Sequence, residues 1–410
     1  MHIGVLGPIA TADLLPAAER DARAYPNGRA GAPLVSNLIR EYVARGHRVV
    51  AITLDEELPD DSPPFVHESP GLTYVVLPAR SRTFRPNGRR PGRTADFFRF
   101  ERRQLLAQLR RFRPEVVHAH WTYEFALAGL AYDPQTLVTV HDNARVIFDY
   151  VRTLNRFFHL LMARYVFRRG RRFTAVSPYM AESVQLWTTA PVAVVPNPVV
   201  IPGRASLVKA PVSQPVISVV VNGWDDRKNG KNALLAFKAV REQHPRAVLW
   251  AMGTAFVPGE EAAEFCRQHD VQNVVFLGPT PHDVVLQKIA ASTLVLHTSL
   301  EESFGMVLVE AMAYGVPVVA GQASGAVPWV VADGGLLVDV TQVEAIASAV
   351  HQLLSDAALY ERVSARAVRI VADRFPLARI ADQYLALYAQ RGAAPLLVAN
   401  GRNLSDAGNP

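Results

Sequence analysis

Two glutamates flank a glycine in the segment EESFGMVLVEAMAYGVPVVA, which occupies residues 301–320. Glu302 precedes a Ser-Phe-Gly turn, and Glu310 lies in the apolar run that follows. If this run is a helix, eight residues span about 12 Å, whereas the two carboxyl groups of a glycosidase lie about 5–9.5 Å apart. The spacing therefore favours carboxylates that hold the two ends of one extended ligand over a pair that acts on a single bond.

A helix that begins after Gly305 would place its N-terminal amides between these two carboxylates. Unpaired amides at a helix N-terminus attract phosphate groups, and a glycine lets the backbone approach a ligand closely. A diphosphate at the amides, a sugar at one carboxylate and a ribose at the other would fit this arrangement. The segment therefore predicts a site for a nucleotide diphosphate sugar.

Four further polar residues follow apolar runs: His118 and His120 in VVHAH, and His141 and Asp142 in VTVHDN. Taken alone, His-x-His with a later His-Asp pair is compatible with a metal centre of the amidohydrolase kind. That centre needs additional His and Asp ligands from later strands of one barrel, and the two-part strand pattern of this chain argues against a barrel. We expect no metal site.

Short, β-branched strands alternate with helical segments through both halves of the chain, as in parallel sheets with helical crossovers. The strands predicted for the N-terminal half lie at residues 2–7, 48–53, 73–78, 115–120, 135–142, 172–177 and 192–196. Those predicted for the C-terminal half lie at residues 216–223, 247–253, 273–278, 293–299, 316–321 and 335–340. The predicted fold class is α/β, with two tandem Rossmann-like doubly wound domains that face each other across a cleft.

The segment PNPVVIPGRASLVKAPVSQP at 196–215 is rich in Pro, Ser and Gly and reads as a linker between the halves. Two of the predicted helices lie at about 94–112 and 149–168. The domain assignment is an N-terminal domain at 1–196, a linker at 197–215, a C-terminal domain at 216–375, a last helix at 376–392 that packs back toward the N-terminal domain, and a flexible tail at 393–410.

The bulk composition is that of a globular chain. Its 410 residues suggest two or three domains, and half of them are apolar. Cys266 is the single cysteine, which excludes a disulfide framework within one chain and fits a reducing compartment. The sequence MHIGVLGPIATADLL lacks the features of a signal peptide, and no apolar run reaches the roughly 18–20 residues of a membrane span. We therefore expect a cytoplasmic protein.

The positive charge is concentrated in the N-terminal half. Residues 1–196 hold 26 Lys and Arg against 18 Asp and Glu, and twelve arginines fall within 80–113. The same segment contains the aromatic residues Phe97, Phe98, Phe100 and Phe112. Such a surface could make peripheral contact with anionic membrane, bind a phosphorylated acceptor, or serve only as a solvated face. Nucleic acid is not an expected partner, and no oligomeric state is predicted.

The segment 301–320 resembles the Glu-x7-Glu signature of the GT-B retaining glycosyltransferases of family 4, also called glycosyl transferases group 1. The resemblance extends over nearly the whole chain. Eight further segments follow in the family's order: RGHRV, VVHAH, TVHD, AVS, VVPN, RKN…ALLAF, VVFLG and SGAVPWVVADGGLLVD. The resemblance implies that the N-terminal domain binds an acceptor and the C-terminal domain a nucleotide sugar.

The resemblance also implies roles for residues of the C-terminal domain. Glu302 would bind the hydroxyls of the donor sugar, helped by the amides of Phe304, Gly305 and Met306. Glu310 would bind the ribose hydroxyls of the nucleotide.

A lysine clamp for the diphosphate is implied as well. Lys228 in DDRKNGKNALLAF matches the family lysine that holds the donor diphosphate, and the amides from Gly305 to Val307 would stabilise it as it leaves. The family's phosphate arginine is missing, because Asn222-Gly223-Trp224 stands at its place. The adjacent Arg227 is the candidate to replace it. The alternative, in which Arg227 and Lys228 are exposed residues at the start of a helix, stays open.

For the N-terminal domain, the resemblance implies that His141 lies beside the transferred sugar on the acceptor side. His120 is assigned to the acceptor pocket, with a structural role as the alternative. Gly31 in NGRAGAP matches the family's glycine-rich loop loosely. The alternative interpretation, in which Gly28 and Gly31 are turn residues only, stays open.

The expected activity is retaining transfer of a sugar from a nucleotide diphosphate sugar, with UDP-sugars the commonest donors of the family, to an acceptor hydroxyl in cell-envelope or glycoconjugate synthesis. Neither a metal nor another cofactor is expected. Two alternatives stay open: a nucleotide-sugar epimerase of the same two-domain shape, and a non-catalytic nucleotide-sugar-binding protein. A nicotinamide-dependent oxidoreductase is weaker, because GVLGPIA does not match Gly-x-Gly-x-x-Gly.

Overall fold

Fourteen strands form two sheets in the part of the chain that this computed structural model describes, namely residues 1–20, 24–31, 33–200 and 210–390. The predicted tail at 393–410 and residues 201–209 of the predicted linker lie outside these ranges. The N-terminal sheet contains β1 (His2–Leu6), β2 (Arg48–Asp55), β3 (Phe65–Ser69), β4 (Leu72–Pro78), β5 (Val116–His120), β6 (Leu137–Val140), β7 (Arg172–Ala175) and β8 (Val192–Val194). The C-terminal sheet contains β9 (Val216–Val220), β10 (Val248–Met252), β11 (Val274–Gly278), β12 (Leu294–His297), β13 (Val318–Gly321) and β14 (Gly335–Val338).

Helices connect these strands and cover both faces of the sheets. Before β9 they are α1 (Thr11–Leu14), α2 (Ala17–Arg20), α3 (Pro33–Ala44), α4 (Arg99–Phe112), α5 (Glu124–Tyr132), α6 (Ala144–Tyr150), α7 (Leu154–Arg169) and α8 (Pro178–Gln185). After β9 they are α9 (Gly230–Gln243), α10 (Glu261–Gln268), α11 (His282–Ala291), α12 (Met306–Ala313), α13 (Val327–Val331), α14 (Val343–Ser355), α15 (Ala357–Arg374) and α16 (Leu377–Ala389). No helix within the described ranges combines the length and the apolar character that crossing a bilayer requires.

Both sheets are doubly wound. The N-terminal sheet has the strand order β3-β4-β2-β1-β5-β6-β7-β8, and the C-terminal sheet has the order β11-β10-β9-β12-β13-β14. Neighbouring strands run parallel in every pair named here except β3 with β4. The order reverses at β1 and at β9, and sheets of this kind bind ligands at the carboxyl ends of the strands beside such a reversal. The predicted α/β class with two tandem doubly wound domains is confirmed.

Three elements differ from the sequence-based expectation. The sequence does not indicate β3, because only its first two residues are apolar and the strand stays partly exposed at the sheet edge. The helix predicted at 149–168 is two helices, since Thr153 caps a new one by accepting a hydrogen bond from the Arg156 amide at 3.3 Å. The helix predicted at 94–112 begins at residue 99, because Phe97 and Phe98 have φ values of 54° and 57°.

The chain passes between the two domains at two places, and these meet. The amide of Val199 donates to the carbonyl of Phe375 at 2.9 Å, and the amide of Leu377 donates to the carbonyl of Val199 at 3.2 Å. Helix α16 then packs against α3 and the N-terminal sheet, where its Tyr388 hydroxyl lies 2.7 Å from His118 Nδ1. The last described helix therefore belongs to the core of the N-terminal domain, although it follows the C-terminal domain in sequence.

Arg80 lies in the arginine-rich segment, but its side chain is fully buried. Its guanidinium donates to Asp96 at 2.8 and 2.9 Å and to Glu101 at 2.7 and 3.0 Å. Because Glu101 is buried as well, these bonds fold the loop before α4 onto the body of the domain. The arginine-rich segment is thus not solvated throughout, and Arg80 has a structural role.

The substitution Arg80→Met should lower the free energy of unfolding by about 3–5 kcal/mol, because it leaves the Glu101 carboxylate buried without its cationic partner. Urea unfolding followed by circular dichroism measures this change. The exposed Arg85 of the same loop supplies the matched control, and Arg85→Met should change the value by less than about 0.5 kcal/mol. Equal losses in the two variants would contradict the role given to Arg80.

Candidate functional site

The segment that follows β12 carries both predicted glutamates. It runs as a loop from Thr298 to Gly305, and α12 begins at Met306. Gly305 has a φ of 89°, and a Cβ at this position would lie 2.9 Å from Leu308 Cδ1. A glycine is therefore required where the loop turns into the helix, and the N-terminal amides of α12 open toward the loop.

The Glu302 carboxylate is held by two basic side chains. Lys228 Nζ donates to Glu302 Oε1 at 2.5 Å, and His297 Nε2 lies 3.5 Å from the same oxygen. Burial by itself would raise the pKa of Glu302, but the charge of Lys228 and the hydrogen bond from His297 hold that pKa well below its usual range. Glu302 is therefore an ionised hydrogen-bond acceptor at physiological pH.

The main chain of Glu302 is fixed by a second glycine turn. The amide of Ala326 donates to the Glu302 carbonyl at 2.9 Å. Gly325 has a φ of 61°, and a Cβ there would lie 2.6 Å from the same carbonyl oxygen. The turn after β13 therefore packs directly against the loop that presents Glu302.

Arg227 lies next to Lys228 and pairs with Glu301. Its Nη1 atom is 3.6 Å from Glu301 Oε2 and 3.4 Å from the Glu301 carbonyl. Burial raises the pKa of Glu301, and the neighbouring charge of Glu302 raises it further. The structure thus places two adjacent cations against two adjacent carboxylates.

Trp224 stands where the resemblance expects an arginine, and it contributes packing. Its ring lies 6.2 Å from that of Phe256 and 6.0 Å from that of Phe265. A Cβ at Gly230 would lie 2.7 Å from the Trp224 ring, so the indole packs closely against the start of α9. Residue 224 positions the loop that carries Arg227 and brings no charge of its own.

Glu310 lies in α12 with its side chain largely buried, and it contacts the start of α11. His282 Nε2 is 2.7 Å from Glu310 Oε1. The hydrogen bond that His282 donates to Glu310 raises the pKa of His282, although burial acts in the opposite direction. Glu302 therefore lies in the loop before α12 and Glu310 within the helix, and each has a basic partner.

The side chains between the two glutamates are structural. Phe304 is buried, with ring centroids 6.4 Å from Trp329 and 5.4 Å from Phe375. Met306 packs against the apolar cores of both domains. Phe304, Met306 and Val307 can therefore offer a ligand their backbone amides, and the predicted use of these amides stays a prediction.

Two histidines of the N-terminal domain are brought together. His120 Nδ1 and His141 Nε2 are 2.9 Å apart, and the Trp121 ring stacks on that of His141 with centroids 4.2 Å apart. Burial lowers the pKa of both residues, that of His120 to about 3. Both imidazoles are therefore neutral at pH 7, and one donates its ring N–H to the other.

The His118 ring lies beside that of His120, with centroids 4.1 Å apart, but its nitrogens bond to other residues. Its Nδ1 atom contacts the Tyr388 hydroxyl at 2.7 Å, and its Nε2 atom contacts the Thr139 hydroxyl at 2.6 Å. Both ring nitrogens are used inside the core, so His118 ties α16 to the sheet and is not available to a ligand.

The glycines near the first strand differ from each other. A Cβ at Gly28 would lie 2.4 Å from the Ile9 carbonyl oxygen, and the Gly28 amide donates to Asp55 at 2.9 Å. Gly31 has a φ of 114°, and a Cβ there would meet no described atom within 4 Å. Gly28 is thus a packed turn residue, whereas the ligand contact predicted for Gly31 remains a prediction.

The two domains touch at the candidate site. Ser177, which caps α8 of the N-terminal domain, donates to the Ser303 carbonyl at 2.7 Å. Burial raises the pKa of Asp142 to about 6, and Arg227 is near enough for its charge to oppose that rise. Asp142, which follows His141, therefore lies near Arg227 of the C-terminal domain.

Four residues of this site are absent from the sequence-based prediction: His297, His282, Glu301 and Tyr179, which hydrogen-bonds Glu301 across the domains. Three of them carry a local signal. His297 lies inside the strand predicted at 293–299, Glu301 adjoins Glu302, and His282 opens a helix after another strand. Tyr179 has no such signal, since its proximity depends on how the two domains meet.

The contact between His282 and Glu310 should make stability depend on pH. Because the pKa of His282 is raised above its ordinary value of 6.5, the contact stabilises the folded state fully below about pH 6.5, and this contribution is lost as pH rises through the folded-state pKa. The loss of Tm caused by His282→Asn should therefore be larger at about pH 5.5 than at about pH 9. The exposed His269 provides the control, and His269→Asn should show no such difference. A larger loss at high pH for His282→Asn would contradict the contact.

Two family models match consecutive parts of the chain. The model described as Glycosyltransferase Family 4 matches residues 32–201, and the model described as Glycosyl transferases group 1 matches residues 208–369. Together they cover well over half of the chain. Among curated proteins, the N-acetyl-alpha-D-glucosaminyl L-malate synthase of Bacillus anthracis is 36% identical over 137 residues, which are 31% of this chain and 35% of that protein. The match thus spans about a third of the length of this relative.

Solved structures share the two-domain fold. Sucrose-phosphate synthase from Thermosynechococcus elongatus superposes with a TM-score of 0.75 at 20% identity, covering 96% of this chain and 100% of that one. HepE from Anabaena, in complex with UDP-glucose, superposes with a TM-score of 0.63 at 18% identity, covering 95% of this chain and 100% of that one. At such identities the likeness concerns the fold alone. With both family models matched in order over two GT-B domains, the chain belongs to the family 4, or group 1, glycosyltransferases.

Proposed function

We propose that the protein transfers a sugar, with retention of its anomeric configuration, from a nucleotide diphosphate sugar to an acceptor hydroxyl. The observation that carries this proposal is the pairing of Lys228 with Glu302 in front of the α12 N-terminus, with Glu310 farther along the same helix. An anionic carboxylate suits sugar hydroxyls, and a cation beside helix amides suits a diphosphate.

The leaving diphosphate gains negative charge as its bond to the sugar breaks. Lys228, Arg227 and the amides of residues 305–307 would stabilise that charge, which is the electrostatic contribution that such sites make to catalysis. Because Glu302 and Glu301 already hold the two cations, little side-chain ordering remains when the donor binds. Two fixed cations also allow the reaction to proceed without a metal ion.

The two histidines that this proposal places on the acceptor side are uncharged. The sugar becomes positively charged at its anomeric carbon in the transition state, and a cation beside it would oppose the reaction. Burial keeps His141 and His120 uncharged, so His141 can form a hydrogen bond with a sugar or acceptor hydroxyl without that penalty.

Retention follows if the acceptor attacks from the face that the diphosphate leaves. The bond between the anomeric carbon and the phosphate oxygen breaks, the bond to the acceptor oxygen forms, and the departing phosphate takes the hydroxyl proton. This route needs no enzymic nucleophile. Contact between the domains at Ser177 and Ser303 would limit the access of water and so favour transfer over hydrolysis.

A UDP-sugar is the proposed donor, and the UDP-glucose found in the HepE complex supports this choice by fold analogy. Incubation with a panel of UDP- and GDP-sugars and simple acceptors, with NMR of the product, tests the reaction. We expect a product with the anomeric configuration of the donor, formed at the same rate in the presence of EDTA. An inverted product, or activity that EDTA abolishes, would contradict the proposed chemistry. Donor that is epimerised without acceptor would indicate an epimerase, and binding without turnover would indicate a binding protein.

The site assignment makes a second prediction. Lys228→Met should lower kcat by about 100- to 1,000-fold, because it removes a cation that stabilises the leaving group. Glu310→Gln should instead raise KM for the donor by about 10- to 100-fold, because a charged acceptor for the ribose hydroxyls is lost. Steady-state kinetics with the identified donor separate the two effects. The exposed Lys231 at the start of α9 is the matched control, and near-normal activity of Lys228→Met beside Lys231→Met would refute the clamp.

A further inference from the structure

Exposed apolar side chains are concentrated on one helix of the N-terminal domain. Of the twelve large apolar side chains exposed in the described part of the chain, six come from α7 and its surroundings: Phe84, Tyr150, Leu154, Phe157, Leu161 and Tyr165. Leu154 is 60% exposed and Tyr165 is 54% exposed. The spacing of 154, 157, 161 and 165 places these residues on one face of α7. We call this face the outer face of α7.

The opposite face of α7 is also apolar and is buried in the domain core. It consists of Leu160, Met162, Ala163, Val166 and Phe167. A helix that is apolar on both faces is normally covered on both. Solvent contact for the outer face is therefore unfavourable, and a partner that covers it is expected.

The outer face continues into the loop before α4. The Phe84 and Phe158 rings lie 5.9 Å apart, and the Phe157 and Phe158 rings 6.3 Å apart. Of the aromatic residues predicted from sequence for a membrane contact, Phe97 and Phe98 pack against α7, with ring centroids 5.1 Å from Phe158 and 5.7 Å from His159. Phe98 is buried, and Phe97, Phe100 and Phe112 are only partly exposed, because this part of the segment folds around the buried Arg80. The exposed apolar surface thus belongs mainly to α7.

The charge around the outer face is mainly positive, although the exposed Asp149 adjoins Tyr150 and pairs with Arg145. Seven arginines and no acidic residue occur from Tyr150 to Ala181. Arg164 and Arg168 are exposed along the same face, and Arg85 is exposed beside Phe84. An apolar helix face with arginines beside it has the chemistry of a helix that lies in the interface of an anionic bilayer.

We propose that the outer face of α7 docks the protein on an anionic lipid bilayer. The apolar side chains would enter the boundary between headgroups and acyl chains, and the arginines would contact lipid phosphates. A nucleic acid would match the charge but leave the aliphatic side chains uncovered. A second copy of the chain would bring the same arginines face to face, which like-charge repulsion disfavours.

The position of α7 links this surface to the candidate site. The His159 ring of α7 lies 4.7 Å from the Tyr123 ring, and the Tyr123 hydroxyl donates to Asp142 at 3.0 Å. A bilayer on the outer face would therefore be separated from the Asp142 region by about the thickness of one helix, roughly 10 Å. This proximity favours an acceptor at the membrane surface, and this extension rests on the proposed transferase function. The proposed docking on a bilayer does not depend on that function.

Vesicle flotation of the full chain tests the docking without donor or acceptor. At low salt we expect binding to phosphatidylcholine vesicles that contain phosphatidylglycerol, and little binding to phosphatidylcholine alone. The triple variant Leu154→Ser, Phe157→Ser, Leu161→Ser should weaken the partition coefficient by at least about tenfold, because it removes the inserted apolar groups. The charge variant Arg164→Glu, Arg168→Glu should weaken it similarly and lower its salt dependence.

The control is Leu186→Ser, which changes an exposed leucine at the end of α8 and should leave vesicle binding unchanged. Circular dichroism shows whether each variant is folded. Three results would overturn the proposal: no binding of the wild-type protein to anionic vesicles at low salt, equal binding to neutral vesicles, or binding that both multiple variants retain. Sedimentation velocity adds a fourth, since a wild-type dimer that the triple variant converts to a monomer would identify a second copy as the occupant.

Discussion

The contact between Lys228 and Glu302 joins two loops that lie 74 residues apart in sequence. Either charge alone would be unfavourable in this largely buried position. Each charged side chain therefore stabilises the position of the loop that carries the other. Glu302 leads into the turn at Gly305 and the start of α12, and Lys228 precedes the start of α9. The N-terminal domain meets the same unit through Ser177 and Ser303. This ion pair, together with the hydrogen bond from the Leu300 amide to the Arg227 carbonyl at 2.7 Å, positions two helix N-termini beside the surface on which the domains meet.

Much of the architecture can be predicted from the sequence, because buried parallel strands leave short β-branched runs that are hard to mistake. The elements that escape prediction depend on other interactions. β3 is an edge strand with a partly exposed, largely polar sequence, so its ladder with β4 defines it more than its own residues do. The break between α6 and α7 depends on a cap at Thr153, which the apolar pattern across it conceals.

The site divides in the same way. Glu302, Glu310 and Lys228 can be found because their spacing around a glycine turn has a chemical reason, and the structure gives each an opposite charge or a hydrogen-bond partner. The partners are harder to find. The contacts of His297 and His282 depend on how the ends of strands and helices come together in the folded domain. The contact of Tyr179 depends on how one domain packs on the other. Sequence motifs thus indicate the groups that could bind a ligand, whereas the groups that set their charge and orientation come from the tertiary fold.

The two crossings between the domains meet in hydrogen bonds that join Val199 to the residues on either side of Pro376. A joint made of two adjoining segments resists twisting more than a single connection does, so relative motion is best accommodated as a swing about this point. Helix α16 then moves with the N-terminal domain, although it follows the C-terminal domain in sequence. A fluorophore or a fusion protein attached at the end of α16 will report on the first domain, although every residue from 216 to 375 precedes it.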